Sequence, residues 1–310
     1  MGLRRLTLVA LALSLAGCDE LAEPDDCAER CASRADDGVL LLSDRGSSRV
    51  LRFDAATGAA LSSPLGPRDA YARPSSARPH DDGTIYVADF ADSSIDRYDA
   101  ESGVFLSRFY RDTYWLEEPV ELHFVGDQLL VLGNDSRNII ALQEQDGAGT
   151  LVDEQAPPAL QDPHDFLPLS TGEVVIAGSG GHGGVGHLLR WDLERGEAAL
   201  WFGTDAELGA ATGLALGPDG LLYVADEARD QLVRFELETG AHRGALVADD
   251  PRVRAPIDLA FGRSGALYVL CDVGVVVIPS VEDDAPLSIT QLVSAREYGL
   301  TRPRSLNVSG

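Results

Sequence analysis

The stretch DGLLYVAD, from Asp219 to Asp226, decides the fold, because copies of it recur along the whole chain. DGTIYVAD, from Asp82 to Asp89, is a close copy, and four weaker copies place a glycine or aspartate before a similar apolar run. The equivalent positions, which follow one another at intervals of 45, 44, 45, 48 and 45 residues, are Gly38, Gly83, Asp127, Gly172, Gly220 and Gly265. A period of about 45 residues is typical of a repeat of four short strands.

Two further features recur in phase with this phrase. In five repeats an apolar or aromatic residue is followed five positions later by glycine, as in Tyr98 and Gly103, which predicts a hairpin turn between a third and a fourth strand. Arginine often precedes that residue, and we expect it to be a solvated cation on an exposed outer strand. These arginines are Arg52, Arg97, Arg190 and Arg234.

The last residues supply a strand that the first repeat lacks. Other phrases follow a short apolar run, such as APIDLAFGRSG from Ala255 to Gly265, but no such run precedes the phrase at Asp37. The final stretch RPRSLNVSG, from Arg302 to Gly310, matches that run. The sequence therefore predicts an all-β, six-bladed β-propeller over residues 36–310, with four-stranded blades and a C-terminal strand that closes the ring in the N-terminal blade.

The repeated phrase resembles the PxGxAxxxDGxxYVAD pattern of the six-bladed propellers of the NHL-repeat and SMP-30/gluconolactonase-like families. The resemblance covers nearly all of the chain after its N-terminal segment and implies a fold shared by hydrolases, lyases and interaction scaffolds. SMP-30-like lactonases bind a metal through a Glu, Asn residues and an Asp. Glu121 and Asp258 match the acidic positions, but Thr212 stands where an Asn is expected.

The N-terminus predicts export and lipidation. Arg4 and Arg5 precede an apolar run that is too short to span a bilayer and that ends in Leu-Ala-Gly before Cys18. This resembles a bacterial lipobox, so we expect residues 1–17 to be a signal peptide and Cys18 to carry fatty acyl chains. Residues 18–35 then form an acidic tether to a membrane of the cell envelope. In an exported protein, the spacing of Cys27 and Cys31 favours a disulfide between them.

The composition is strongly acidic. Asp and Glu number 50 against 25 basic residues, all of them arginine, which gives a formal net charge of −25. This argues against a nucleic-acid partner, which requires a basic footprint. Long-range attraction instead favours a cationic partner or a divalent metal.

Candidate site residues lie where propeller sites generally lie, at the mouth of the central channel. There the starts of the first strands meet the ends of the second strands, and the fourth repeat carries an insertion in the stretch GSGGHGGVGH. The candidate binding residues are Glu121, His164, Asp165, His182, Asp258 and Arg304. Histidine and carboxylate side chains together suit a divalent metal or acid–base chemistry. Aspartates at the ends of second strands, by contrast, are expected to accept backbone hydrogen bonds in turns.

These observations favour a membrane-anchored envelope lipoprotein whose propeller is a platform for an envelope protein or a small ligand. No complete catalytic set is visible, and fold alone does not supply a reaction. The alternative is a hydrolase or lyase that depends on a divalent metal, Ca²⁺ or Zn²⁺, held at the channel mouth. Its metal ligands would be Glu121, His164, Asp165 and Asp258.

Overall fold

The computed structural model describes residues 37–61, 65, 72–157, 162–180, 185–203, 207–281 and 287–309. They form six antiparallel β-sheets, each a blade of a propeller, which confirms the fold class predicted from the repeat. Apart from the helical residue Asp37, the helices in these ranges are a 3₁₀ turn at Glu227–Arg229 and the single-turn helix α1 at Ala295–Tyr298. No helix within the described ranges is long and apolar enough to cross a bilayer.

Each blade runs from an inner strand, which lines the channel, to an outer strand. In blades 1 to 6 the inner strands are β23 (Pro303–Ser309), β3 (Pro74–Pro79), β7 (Pro119–Val125), β11 (Pro163–Pro168), β15 (Ala211–Leu216) and β19 (Asp258–Phe261). The second strands are β1 (Val39–Asp44), β4 (Thr84–Asp89), β8 (Gln128–Gly133), β12 (Glu173–Gly180), β16 (Leu221–Asp226) and β20 (Leu267–Cys271). The third strands are β2 (Arg49–Asp54), β5 (Ser94–Asp99), β9 (Asn138–Gln145), β13 (Val185–Asp192), β17 (Gln231–Glu236) and β21 (Gly274–Ile278).

The fourth strands of blades 2 to 6 are β6 (Phe105–Arg111), β10 (Ala148–Gln155), β14 (Glu197–Phe202), β18 (His242–Ala248) and β22 (Thr290–Ser294). In blade 1 the outermost position is marked by two isolated bridges, Val50 with Leu65 and Phe53 with Ala60. The second strands are the repeated phrases, and their apolar residues are buried from both sides. Neighbouring blades therefore share apolar clusters, as where Tyr268 of blade 6 packs with Leu40 and Phe53 of blade 1.

The C-terminal strand closes the ring as the sequence predicts. β23 pairs antiparallel with β1, placing Leu306 opposite Leu42 and Val308 opposite Leu40. The Asp44 carboxylate accepts hydrogen bonds from the backbone N–H groups of Thr301 and Arg302, at 3.1 and 2.7 Å. The two ends of the described chain are thus joined at the mouth as well as along the strands.

The aspartates that end second strands have the structural role expected of them. Asp89 accepts a hydrogen bond from the backbone N–H of Arg73, and Asp226 accepts from Gly209 and Ala210. In each case the aspartate holds the segment that leads into the inner strand of its own blade. This fixes the height at which each inner strand enters the channel.

Three of the four third-strand arginines are not solvated cations, so for them that expectation was wrong. They extend to the next blade and donate to backbone carbonyl oxygens in its turn between third and fourth strands. The donor and acceptor residues are Arg52 with Ala100 and Glu101, Arg97 with Gly147, and Arg190 with Leu237. Each of these arginines thereby provides a hydrogen-bond donor across the cleft between two blades.

Candidate functional site at the channel mouth

One residue of each inner strand occupies the same level of the channel, where it pairs with a residue near the mouth end of its second strand. We call these six positions the carboxylate layer: Ser305, Ser76, Glu121, Asp165, Gly213 and Asp258. Its three acidic side chains are all buried. The layer lies just below the mouth, so the candidates Glu121, Asp165 and Asp258 are deeper than the rim on which they were expected.

Two of these carboxylates bridge neighbouring blades through backbone hydrogen bonds. Asp165 Oδ2 accepts from the N–H of Leu214 at 2.6 Å, and Asp258 Oδ2 accepts from Leu306 at 2.6 Å. Their other oxygens accept from the N–H of the next residue in their own strands, at 2.7 Å. Both oxygens of each carboxylate are therefore engaged by the inner strands.

Glu121 is held by side chains of blade 2. Its Oε1 accepts hydrogen bonds from Ser76 Oγ and from the Arg78 guanidinium, with Arg78 Nη2 at 3.1 Å. Arg78 also contacts His123 Nε2 at 3.0 Å, one level further into the channel. Burial lowers the pKa of His123 well below its usual value, and the charge of Arg78 lowers it further.

The carboxylate layer is crowded with negative charge. Burial raises the pKa of Asp165 well above its usual value, and Asp258 and Glu121 raise it further. Burial and the neighbouring Glu121 raise the pKa of Asp258 to about 8, although two backbone N–H groups and Arg78 act in the opposite direction. Proton sharing within the layer is the physical consequence, since neighbouring buried carboxylates disfavour ionisation together.

The described residues do not form the predicted metal centre. Within those ranges no group of three or more His, Cys, Asp and Glu side chains is arranged to hold a metal ion. The oxygens of Asp165 and Asp258 are directed at backbone N–H groups, and Glu121 is paired with Arg78. His164 lies one level above them, in the throat. We therefore base no function on a metal at these four residues.

The throat is the constriction directly above the carboxylate layer. It holds a cavity of about 190 Å³ that residues of all six blades line. The lining residues are Arg45, Phe90, Val120, Asn134, Asp162, His164, Thr212, Ile257 and Arg304. Burial lowers the pKa of His164, and so do Arg304 and Arg45, while Asp162 raises it. Burial and the two arginines thus favour the neutral form of His164.

The throat opens into a larger pocket of about 1020 Å³ at the mouth, lined by blades 1 to 3. The lining residues are Arg45, Gly46, Ser48, Arg73, Phe90, Ala91, Ser93, Glu117, Glu118, Thr301, Arg302 and Arg304. Four are arginines, and they come from both sides of the seam where the ring closes. Arg45, Phe90 and Arg304 line the throat and the mouth alike.

Arg45 is the most unusual of these side chains. Its guanidinium carbon lies 3.8 Å from the centroid of the Phe90 ring, and its Nε is buried without a hydrogen-bond partner among the described residues. Burial and the charges of Arg304 and Arg73 lower the pKa of Arg45 to about 9, against an opposing effect of Glu118. The mouth therefore holds a cation whose positive charge is poorly compensated.

The structure brings together only part of the predicted site. Arg304 and His164 meet in the throat, and Glu121, Asp165 and Asp258 lie in the layer beneath it. His182 lies outside the described residues. Part of the glycine-rich insertion is β-strand, because β12 and β13 continue to pair as far as Gly180, which lies opposite Val185. The role of these residues in binding stays a prediction.

Sequence reasoning missed most of the mouth pocket. It did not select Arg45, Arg73 or Arg302, nor the ring of Phe90. A signal was present, because Arg45 and Phe90 each directly follow the aspartate that ends a second strand, at a position that faces the mouth. Arg73, Arg302 and Arg304 lie just before or at the start of an inner strand, the other set of positions that faces the mouth. Counting arginines at both sets of positions would have shown the local positive charge.

Comparison with known proteins agrees with the fold. No protein-family model and no curated protein matches the chain. Among solved structures, a chain of the nidogen/laminin complex is similar over 86% of this chain and 97% of its own, with a TM-score of 0.67 and 13% identity. A streptogramin B lyase is similar over 88% and 91%, with a TM-score of 0.62 and 13% identity. Virginiamycin B lyase from Staphylococcus aureus is similar over 82% and 80%, with a TM-score of 0.61 and 12% identity. At such identities the likeness shows the propeller fold.

Proposed function

We propose that this protein is a lipid-anchored lipoprotein of the bacterial cell envelope whose propeller binds an envelope protein or a small ligand at the channel mouth. The observation that carries the proposal is the open pocket of about 1020 Å³ at the mouth. Concave sites that combine a few converging polar groups with apolar walls are the usual places where proteins bind ligands. The solved structures of similar fold include a protein–protein complex and lyases, which fits a fold that presents its rim to partners.

Binding is better supported than the hydrolase or lyase alternative. That alternative requires a catalytic group that is free to act on a substrate, and the carboxylates below the throat are engaged by backbone N–H groups or by Arg78. The likeness to two lyases is at 12 and 13% identity, a level that speaks for the fold alone. We therefore assign no reaction to the site.

The anchor is tested by replacing the residue expected to carry the acyl chains. Cys18→Ala should abolish labelling of the protein by a clickable fatty-acid analogue in a bacterial host. Cys271→Ala is a suitable control, since Cys271 is a buried thiol and should not affect labelling. Labelling that persists in Cys18→Ala would contradict the anchor. The tether and the predicted disulfide between Cys27 and Cys31 lie outside the described residues.

The binding platform is tested by photo-crosslinking in intact cells. A photoreactive amino acid at Thr301, an exposed residue of the mouth pocket, should give an adduct of reproducible mass in the intact protein. The matched control places the same amino acid at Arg263, an exposed residue in the turn between β19 and β20 at the opposite end of the channel. Adducts from Thr301 alone support a mouth-face partner. Equal labelling at both positions, or none at Thr301, would reject it.

A further inference from the structure

We infer that the mouth pocket binds a small molecule through an oxyanion, a phosphate or carboxylate group, which lies between Arg45 and Arg304. Arg73 and Arg302 lie at the edge of the same pocket and add positive charge. The inference rests on the proposed function, because it names the chemistry of the ligand that the mouth would take. The chain as a whole is acidic, so the inference follows from the concentration of arginines at this one pocket and not from the net charge.

The first observation is a local excess of arginine without carboxylate partners. Elsewhere in the described structure many arginines form close ion pairs, such as Arg190 with Glu173 at 2.6 Å and Arg252 with Asp250 at 2.7 Å, and those without one, such as Arg263, are scattered. None of the four mouth arginines has an ion pair with a carboxylate among the residues described. At the mouth four such side chains converge on one pocket, although the chain has twice as many acidic as basic residues. An anionic ligand would provide the missing partner.

The second observation is the setting of Arg45. One face of its guanidinium group is covered by the Phe90 ring, so the group is held in a fixed plane rather than moving freely in solvent. Its buried Nε lacks an acceptor among the described residues, and Arg304 and Arg73 repel its charge. The guanidinium group thus has no close counter-ion among the described residues, and an oxyanion can accept from two guanidinium N–H groups at once. A guanidinium group held in a fixed plane can bind an oxyanion with two parallel hydrogen bonds, which the ammonium group of a lysine cannot do.

The third observation is the apolar wall around the two central arginines. Val120, Ile257 and Phe90 line the throat beside Arg45 and Arg304. Arg45 is half-buried against these walls, which lower the local dielectric constant and strengthen its attraction for an anion, whereas Arg304 is exposed. Water and salt therefore weaken the contact with Arg45 less than they would at a cation on an open surface.

The negative charges nearby restrict the ligand to a small molecule. Glu117 and Glu118 line one side of the mouth pocket, and Asp162 lies at the throat. A polyanion such as a nucleic acid would meet these carboxylates and the acidic surface beyond them. A small ligand can instead place its oxyanion at Arg45 and Arg304 without extending over that acidic surface. The nearby arginines then decide the affinity.

The inference is tested by isothermal titration of the purified full-length protein with pyrophosphate and, separately, with citrate. We expect one of the two anions to bind with a 1:1 stoichiometry and an affinity that falls as salt is added. Arg45→Gln and Arg304→Gln should each weaken binding by about tenfold or more, since each removes charge-assisted hydrogen bonds. Binding of pyrophosphate alone would identify a phosphate ligand, and binding of citrate alone a carboxylate ligand.

Arg263→Gln is the matched control, because it changes the net charge equally at the opposite end of the channel. Its affinity should equal that of the unmodified protein, and thermal denaturation verifies that all three variants are folded. If neither anion binds at millimolar concentration, or if Arg263→Gln weakens binding as much as Arg45→Gln, the oxyanion inference is wrong. Mouth-specific crosslinks at Thr301 would in that case leave the binding platform intact.

Discussion

At the scale of single residues, the buried carboxylates below the throat act on stability. Asp165 and Asp258 each use both oxygens to accept backbone hydrogen bonds, and each connects its own blade to the following inner strand. Those bonds favour the ionised form, but burial and the mutual repulsion of the layer outweigh them and raise both pKa values. The layer therefore joins blades and at the same time makes the stability of the ring depend on pH.

The replacement Asp258→Asn tests this dependence. The pKa of Asp258 is about 8 in the folded protein and about 3.9 for an unfolded chain, so the folded state binds more protons between these values. The contribution of Asp258 to the free energy of unfolding should therefore fall as pH rises from about 4 to about 8. The variant lacks this loss. The free energy of unfolding of the variant minus that of the unmodified protein should therefore increase by up to about 1.4 kcal/mol per pH unit between about pH 4 and pH 8.

Urea denaturation at a series of pH values measures this difference. In Asp258→Asn the amide NH₂ group faces a backbone N–H donor, which lowers stability by an amount that does not depend on pH. The slope of the stability difference against pH is therefore unaffected. Asp146→Asn is the control, since Asp146 is exposed at a left-handed position that asparagine also adopts. A pH-independent difference between Asp258→Asn and the unmodified protein would show that Asp258 is ionised throughout.

At the scale of elements, the third strands show that a sequence predicts a strand more readily than it predicts what that strand packs against. The phase of Arg52, Arg97 and Arg190 within the repeat is visible in the sequence, and so is the alternation that places them on one face of their strands. Alternation does not say whether that face meets solvent or the next blade. The distance that each side chain spans depends on how two blades pack, so the interblade hydrogen bonds emerged only from the structure.

At the scale of the whole molecule, the repeat determined the architecture because every blade buries the same phrase. The period predicted six blades, and the match of the last residues to APIDLAFGRSG predicted the closing strand, which β23 and β1 form. The site was less predictable, because it arises where the symmetry of the ring is broken. Arg45 and Arg304 lie 259 positions apart in the sequence, and closure alone places both at one pocket.

The seam between β23 and β1 should be a weak point of the ring, and Asp44→Asn tests it. Asp44 accepts from Thr301 with one oxygen and from Arg302 and Gly46 with the other, and an asparagine amide cannot accept with both of its side-chain atoms. Hydrogen exchange in β23 and β1 should accelerate while the other blades keep their protection, because noncovalent contacts alone hold the seam.

Asp226→Asn is the control for the seam, since Asp226 also uses both oxygens but holds a strand within its own blade. Its hydrogen exchange should change near β15 and leave β23 protected, because the segment that it anchors remains covalently continuous with the rest of blade 5. Equal acceleration in all blades of Asp44→Asn would mean that the ring opens as one unit and has no weak seam. Acceleration confined to β23 and β1 would mean instead that closure, which creates the mouth pocket, is also the step of folding most easily reversed.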